Sequence, residues 1–511
     1  MTGASTLTRL LETGEADAPA ILAPGRPALT HGGLREHVER TVAVLNACGI
    51  GRNDRVAIVL PNGPAMATAF ISVAAGASTA PLNPAYRRAE FEFYLSDLGA
   101  KALLVERGSD SDAAGVARER GIRVLEIETR DDWPAGVFAF AGETVASREV
   151  AAASPGRAGE DDEALVLHTS GTTSRPKIVP LRQRNVCASA RNILDALRLT
   201  AADRCLNVMP LFHIHGLMAA VLASLHAGAS TFCTPGFNAL KFFAWLDESD
   251  ATWYTAVPTM HQAILSRAER NRTVIDGCRI RFVRSSSSSL PPQVMSQLEA
   301  AFGAPVIEAY GMTEASHQMT SNPLPPRARK PGSVGMATGQ QVAVMDEAGK
   351  LLGPGMSGEV VIRGENVTTG YQSNAEANAQ CFTNGWFRTG DQGVLDEDGY
   401  LTITGRLKEI INRGGEKISP REVDEVLMDH PAVQQVVTFA MPDPKLGENV
   451  AAAVVLREGV RATDRELRDF AATRLAPFKV PRTIVMVAEI PKGATGKLQR
   501  IGLAQKLGLC E

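Results

Sequence analysis

Arg55–Leu60 reads RVAIVL, an apolar run too short for a buried helix. It meets the turn triplet Pro61-Asn62-Gly63 and then an apolar helical stretch from about Ala65 to Ala75. The same order recurs along the chain. Ala102–Val105, Ile122–Ile127, Leu165–His168, Arg204–Pro210, Thr252–Val257 and Ile280–Arg284 are short β-rich runs, each followed by turn signals or a helical pattern. A parallel strand can reach its neighbour only through a crossover, usually a helix, so this spacing predicts βαβ units and parallel sheets. At 511 residues the chain exceeds what one hydrophobic core supports, and more than one domain is expected.

The pattern changes after about Gly332. Val342–Met345, Gly358–Arg363 and Tyr400–Ile403 alternate in β fashion between Gly, Asp and Asn turns. A compact tail follows, with helices expected at about Pro420–Met428 and Asp464–Leu475 and strands at Val433–Phe439 and Ala451–Val455. The expected division is residues 1–407 as a large N-terminal domain and 408–511 as a small C-terminal one. Gly156–Asp162, small and polar, reads as a loop between subdomains of the first.

A net charge of −3 leaves no global basic excess for nucleic acid or an anionic membrane. No run of about 20 apolar residues is present to span a bilayer. The seven cysteines are scattered, with no CxxC pair, which argues against a metal cluster or a disulfide framework and for a reducing, cytoplasmic setting. The N-terminus carries acidic residues and no long apolar stretch, unlike a signal peptide.

Four segments carry chemistry. Thr169-Ser170-Gly171-Thr172-Thr173-Ser174-Arg175-Pro176-Lys177 places five hydroxyls, a glycine and two cations in one loop after a strand. Phosphate oxygens are bound by such groups: close backbone N–H groups, hydroxyl donors and a cation. The loop is not of the GxxxxGK[ST] type. Glu308-Ala309-Tyr310-Gly311-Met312-Thr313-Glu314 follows a strand-like Ala304–Ile307 and offers an aromatic face for a purine, a hydroxyl donor and a hard oxygen ligand for Mg²⁺. Asp391, at a glycine-bounded turn with Gly405-Arg406 following, can accept both hydroxyls of a ribose. Lys497, presented between glycines in Pro491–Lys497, can bring an ammonium to a reacting phosphate. Taken singly, each has a bland alternative: a surface Ser/Thr loop, a solvated glutamate, a turn aspartate, a surface lysine.

Together, in this order, the four segments resemble the acyl-adenylate-forming superfamily of acyl-CoA synthetases, luciferase-like enzymes and peptide-synthetase adenylation domains. The resemblance runs from Arg55 to Arg500 and includes Pro210-Leu211-Phe212-His213-Ile214-His215-Gly216 and Gly414-Gly415-Glu416-Lys417-Ile418-Ser419. It implies an α/β fold, a large multi-subdomain N-terminal domain of mixed sheets and helices with a small mobile α+β lid. It implies ATP, Mg²⁺ and coenzyme A. Thr169, Ser170, Gly171, Thr172, Thr173 and Lys177 would hold the β- and γ-phosphates. Ala309, Tyr310 and Gly311 would line the adenine site, with Thr313 on the α-phosphate and Glu314 on Mg²⁺. Asp391 and Arg406 would hold the ribose, and Lys497 would stabilise the adenylation transition state. The lid would turn about Lys408 and bring Gly414, Gly415 and Lys417 to the pantetheine tunnel. Ile178 stands where the phosphate loop of the family usually has glycine. The substitution would stiffen the loop, or change nothing if φ there is negative.

The resemblance also places an acyl pocket beneath His213, between Ser285–Ser289 and Ala315-Ser316-His317-Gln318. These walls offer hydroxyls, an imidazole and an amide. A fatty tail would leave them unpaired at roughly 1–3 kcal/mol each. HTSGTTSRPK, ATWYTAVPT, EAYGMTEASHQM and INRGGEKISP closely resemble oxalyl-CoA synthetases. Oxalate is therefore the expected acid, with His317, Ser289 and His213 as donors to its second carboxylate. Malonate, another short acid or an aryl acid are the alternatives. Transfer to a carrier protein and a non-catalytic nucleotide-binding regulator are the other readings, and a monomer or homodimer is expected.

Overall fold

The computed structural model describes residues 3–141, 151–169, 176–491 and 498–510. Among these, the strands form four sheets. The first has the order Ala139–Phe140, Arg123–Glu128, Ala102–Glu106, Arg55–Val59, Ser78–Pro81, Glu163–Thr169, Lys177–Arg182. Its inner strands are parallel, and its two edge strands are antiparallel returns. The second sheet runs Met336–Ala337, His317–Ser321, Val306–Met312, Phe282–Ser285, Trp253–Ala256, Arg204–Asn207, Ser230–Cys233, Pro19–Leu22, Leu29–Thr30. It is parallel from Val306–Met312 through Pro19–Leu22. The βαβ grammar of the sequence is thus realised in two parallel sheets.

Helices fill the space between the two. Pro64–Ala74 is buried on every side from Met66 onwards and touches Ser230–Cys233 in one sheet and Glu163–Thr169 in the other. A helix apolar all round is one with no solvent face. Gln183–Leu197 likewise bridges Glu163–Thr169 and His317–Ser321. Its buried Gln183 is satisfied at both ends of the amide, donating to Ala74 O (2.6 Å) and accepting from Leu7 N (3.0 Å). His215–Leu222 is wound as a π-helix, a form that occurs mainly as short insertions near functional sites.

Two smaller antiparallel-rich sheets follow. Gln341–Met345, Ser357–Arg363, Trp386–Leu395, Phe382–Thr383 and Leu401–Arg406 form one. Ile411–Arg413, Glu416–Ile418, Gly447–Leu456, Val433–Asp443 and Thr483–Met486 form the other, which has a core of its own around Ile411, Val423, Leu427, Val450 and Leu467. Its helices start where the sequence marks them. Ser419 caps Pro420–Met428. Thr463 and Glu466 make a reciprocal capping box at Asp464–Ala472. Arg421 joins this last unit to the preceding sheet by donating to Ile403 O (2.7 Å), and Gln293 Nε2 donates to Met428 O (2.5 Å). Among the described residues no helix is long and apolar enough to cross a membrane.

Glu308 lies at the joint between these units. It is 1% exposed; its Oε1 accepts Leu290 N–H (2.9 Å), while Oε2 has no partner. Burial pushes its carboxyl up to about 7, against the pull of the Arg421 guanidinium. The folded state therefore binds this proton more tightly than the unfolded chain. The stabilisation is complete below the ordinary value of 4.5 and is lost as pH rises towards about 7. Glu308→Gln keeps an oxygen for Leu290 and removes the ionisation. Its Tm relative to the parent should climb between pH 5 and pH 8 in calorimetric scans. A difference that stays constant over that range would rule the account out.

Candidate active site

Parallel strands of an α/β sheet carry their ligands at the carboxyl ends, and Thr169 and the Met312–Glu314 segment stand at two such ends. Thr169 ends its strand directly opposite Lys177, so the two strands bracket the phosphate-loop segment. Ser170, Gly171, Thr172 and Thr173 lie outside the described residues. Ile178 sits in the Lys177–Arg182 strand, 7% exposed, in the same core as Val166. It is absent from the residues with positive φ, so the position has no need of glycine.

Val306–Met312 is a longer strand than Ala304–Ile307 suggested. It runs through Glu308, Ala309, Tyr310 and Gly311 before a 3₁₀ turn over Thr313–Ala315. The Tyr310 hydroxyl donates to Asp391 Oδ2, and Arg406 Nε donates to Asp391 Oδ1 (2.9 Å). Asp391 does not occupy a turn. It lies inside the strand Trp386–Leu395, cross-strand from Arg406, and only Gly390 before it takes a left-handed φ of 75°. Burial and then the Asp391 charge push the Tyr310 phenol well up, and Asp391 raises the Arg406 guanidinium in turn. The carboxylate is 5% exposed with one donor on each oxygen, whereas the Arg406 side chain remains 46% exposed.

Glu314 is buried in the 3₁₀ turn, and Tyr371 donates its hydroxyl to Oε1 (2.7 Å). Burial lifts the Glu314 carboxyl, while the Tyr371 hydrogen bond, Arg406 and Lys177 pull it back. Lys177 Nζ stands 4.5 Å from the centroid of the same Tyr371 ring, a cation–π contact. The backbone of Tyr371 is clamped by Asn378, which accepts from its N–H (2.7 Å) and donates to its carbonyl (2.8 Å). Tyr371 therefore ties the phosphate-loop strand to Glu314. Nothing in the local sequence marks it beyond the Gly370 before it, whose φ is 136°.

Beneath the His213 segment is a buried polar group. Arg284, 0% exposed at the end of its strand, donates to His215 Nε2 (3.1 Å), Thr255 Oγ1 (3.2 Å), His317 Nε2 (3.2 Å) and Gln318 Oε1 (2.9 Å). His215 Nδ1 is 3.0 Å from Ser287 Oγ, and the two imidazoles stack at 4.9 Å. His213 Nδ1 accepts the His215 backbone N–H (3.3 Å). Burial lowers the Arg284 guanidinium to about 9, which leaves it charged at neutral pH. Among the described residues no carboxylate pairs with it, and its Nε has no partner. His317 joins this group directly, and His213 touches it through the His215 backbone. The serine bonded to this group is Ser287, two residues before the half-buried Ser289. Arg284 and His215 are additions from the structure. The signal available for Arg284 was a charge following Phe282-Val283 inside a strand-like run.

Lys408 is exposed in a turn between the last two sheets; Glu409 N–H and Ile410 N–H both return to Arg406 O (2.9 and 3.0 Å). Gly414-Gly415 is the two-residue turn of a hairpin, with φ of 60° and 98°, and Lys417 belongs to its second strand instead of to a loop. Lys497 lies outside the described residues.

Residues 11–372 match the AMP-binding enzyme family and residues 422–497 the AMP-binding enzyme C-terminal domain. The chain belongs to the AMP-binding enzyme family. It is 46% identical over 508 residues to the oxalate–CoA ligase of Arabidopsis thaliana, covering 98% of each chain. It is 42% identical over 475 residues to the oxalate–CoA ligase of Saccharomyces cerevisiae, covering 89% of this chain and 87% of that one. Among solved structures, ATP-bound MatB from Rhodopseudomonas palustris superposes with a TM-score of 0.88 at 28% identity, covering 98% of each chain. The chain is accordingly an AMP-forming acid–CoA ligase by family, and no finding supports the non-catalytic alternative.

Proposed function

We propose that this enzyme is an ATP-dependent oxalate–CoA ligase, forming oxalyl-adenylate and then oxalyl-CoA with release of pyrophosphate and AMP. The observation that carries the choice of acid is the charge of Arg284, buried without a carboxylate among imidazoles, hydroxyls and an amide. A buried charge is stable only with a counter-charge or full hydrogen bonding. A short dianion that keeps one carboxylate free supplies the missing negative charge. The two relatives of that name support the same reading.

In the first step one oxalate oxygen attacks the α-phosphorus in line and pyrophosphate leaves. The enzyme contributes positioning and electrostatic stabilisation. Asp391 with Arg406 fixes the ribose, Tyr310 covers the adenine, Thr313 donates to the α-phosphate, and Lys497 offsets the charge that develops there. Glu314 fits a Mg²⁺ ligand: Tyr371 takes only its Oε1. Among the described residues no group of three or more His, Cys, Asp or Glu could hold a metal by itself. Mg²⁺ normally completes its shell with phosphate oxygens and water, and once bound it neutralises phosphate charge. In the second step the lid of residues 408–511 turns at Lys408, the Gly414–Lys417 hairpin lines the thiol path, and the thiol attacks the acyl carbon as AMP departs. A cytoplasmic location suits seven cysteines that form no disulfide.

Pyrophosphate release over oxalate, malonate, acetate, benzoate and octanoate, with and without coenzyme A, should favour oxalate. Preference for octanoate would eliminate this reading of the pocket. Lys497→Ala should abolish adenylation yet spare thioester formation from supplied oxalyl-adenylate; equal loss in both half-reactions would refute the division of labour. Tyr371→Phe removes a hydrogen bond that favours ionised Glu314. The acid limb of the adenylation profile should move to higher pH and the Mg²⁺ requirement should rise about tenfold, as expected for a bond to a charged group. An unmoved limb would separate Glu314 from the metal.

A further inference from the structure

We infer that Arg284 is a positioning residue that holds His215 and His317 as neutral Nδ1–H tautomers, and so sets the donor pattern that selects a second carboxylate. This rests on the oxalate reading for its functional half and on geometry alone for its tautomer half.

A guanidinium has five N–H donors and no acceptor. An imidazole nitrogen facing it at hydrogen-bond distance must present a lone pair. Both Nε2 atoms do face it, at 3.1 Å from His215 and 3.2 Å from His317. Each ring is therefore neutral and carries its proton on Nδ1. Thr255 Oγ1 accepts from Arg284 (3.2 Å) and lies 2.6 Å from His215 Nε2. Protonating either ring would set an N–H against the guanidinium and place a second cation beside it in a pair of imidazoles stacked at 4.9 Å.

The consequence reaches the pocket wall. His215 Nδ1–H donates to Ser287 Oγ at 3.0 Å, so the serine proton turns outward as a donor. His317 has Nδ1–H as its donor. The surrounding backbone maintains His317 under strain. Its φ is 99°, in the left-handed region that a residue with a Cβ rarely enters. The strand pairing holds it there: a Cβ on Gly311 would stand 1.9 Å from His317 O. That strain aims the ring at Arg284, which itself is 0% exposed and acts through the histidines.

Histidine-labelled enzyme, with nine histidines in the chain, allows a direct test by ¹⁵N correlation spectra. His215→Gln and His317→Gln assign the two signals. Both should be Nδ1–H in the parent at pH 7.5. Either one found as Nε2–H or as imidazolium overturns the inference, whatever acid the enzyme prefers. In Arg284→Met both should leave that state, and the oxalate-to-acetate ratio of kcat/KM should fall roughly 100-fold. Arg284→Lys, which retains charge but cannot bond both rings, should revert one histidine and lose roughly tenfold of that ratio. It also serves if the Met variant fails to fold. Unchanged tautomers or an unchanged ratio in the folded variant would sink the proposal. A parent enzyme that prefers another acid, with both tautomers as stated, would refute the oxalate reading alone.

Discussion

The site depends on the register between two parallel sheets that share no strand. Residues 366–372 set that register. Thr368 N–H donates to Glu314 O (2.7 Å) at the end of one sheet, and its hydroxyl donates to Pro180 O (3.0 Å) in the other. Asn185 Nδ2 donates to Val367 O (3.2 Å), and Gln372 N–H to Ile178 O (3.1 Å). Asn366 Nδ2 holds Ala315 O (2.9 Å). Each bond saturates a backbone group that burial would otherwise leave unpaired, which makes the arrangement obligatory. Only with this segment in place does Tyr371 reach both Lys177 and Glu314.

Charge is distributed to suit a polyphosphate. Lys177 and Arg406 face the site while their counter-groups are an aromatic ring and a carboxylate already held by Tyr310. Glu314 is lifted by burial and held ionisable by the same two cations. A single buried carboxylate in that setting is a poor metal site alone and an adequate one beside phosphate oxygens. Arg284 is set apart from this group: it bonds to imidazole, hydroxyl and amide groups, with no carboxylate among them.

Much of this was legible in the sequence because it is local. Apolar runs bounded by turns become the parallel strands, and Ser419 and Thr463 start their helices as N-caps should. What was not legible depends on tertiary contact. Asp391 looks like a turn residue because glycine precedes it, yet cross-strand pairing with Arg406 makes it part of a sheet. Glu308–Met312 looks like a loop because it is rich in functional side chains, but its backbone pairs with His317–Ser321. Ile178 looks like a departure because the family places glycine there, though a strand supplies a negative φ and a core position. Tyr371 and Arg284 carry no local pattern, since their partners lie 57 and 33 residues away in Glu314 and His317. The one clue to Arg284 was a charge where the strand pattern demands an apolar residue, and such a violation marks function more often than error.

The same violation explains why the pocket selects by charge more than by size. An apolar pocket distinguishes acids by one methylene at a time, at about 1–3 kcal/mol. A pocket whose buried donors need a partner rejects any acid that cannot supply one, because the donors are then left unpaired. Acetate brings no second carboxylate, and octanoate brings hydrocarbon to imidazole and hydroxyl. In this chain Arg284 and His317 stand on strands, His317 with a left-handed φ, while Ser287 lies in the irregular segment that follows one of them. In the proposed oxalate reading, the strands that carry Arg284 and His317 supply the selective contacts, and the C-terminal residues govern the order of the two half-reactions.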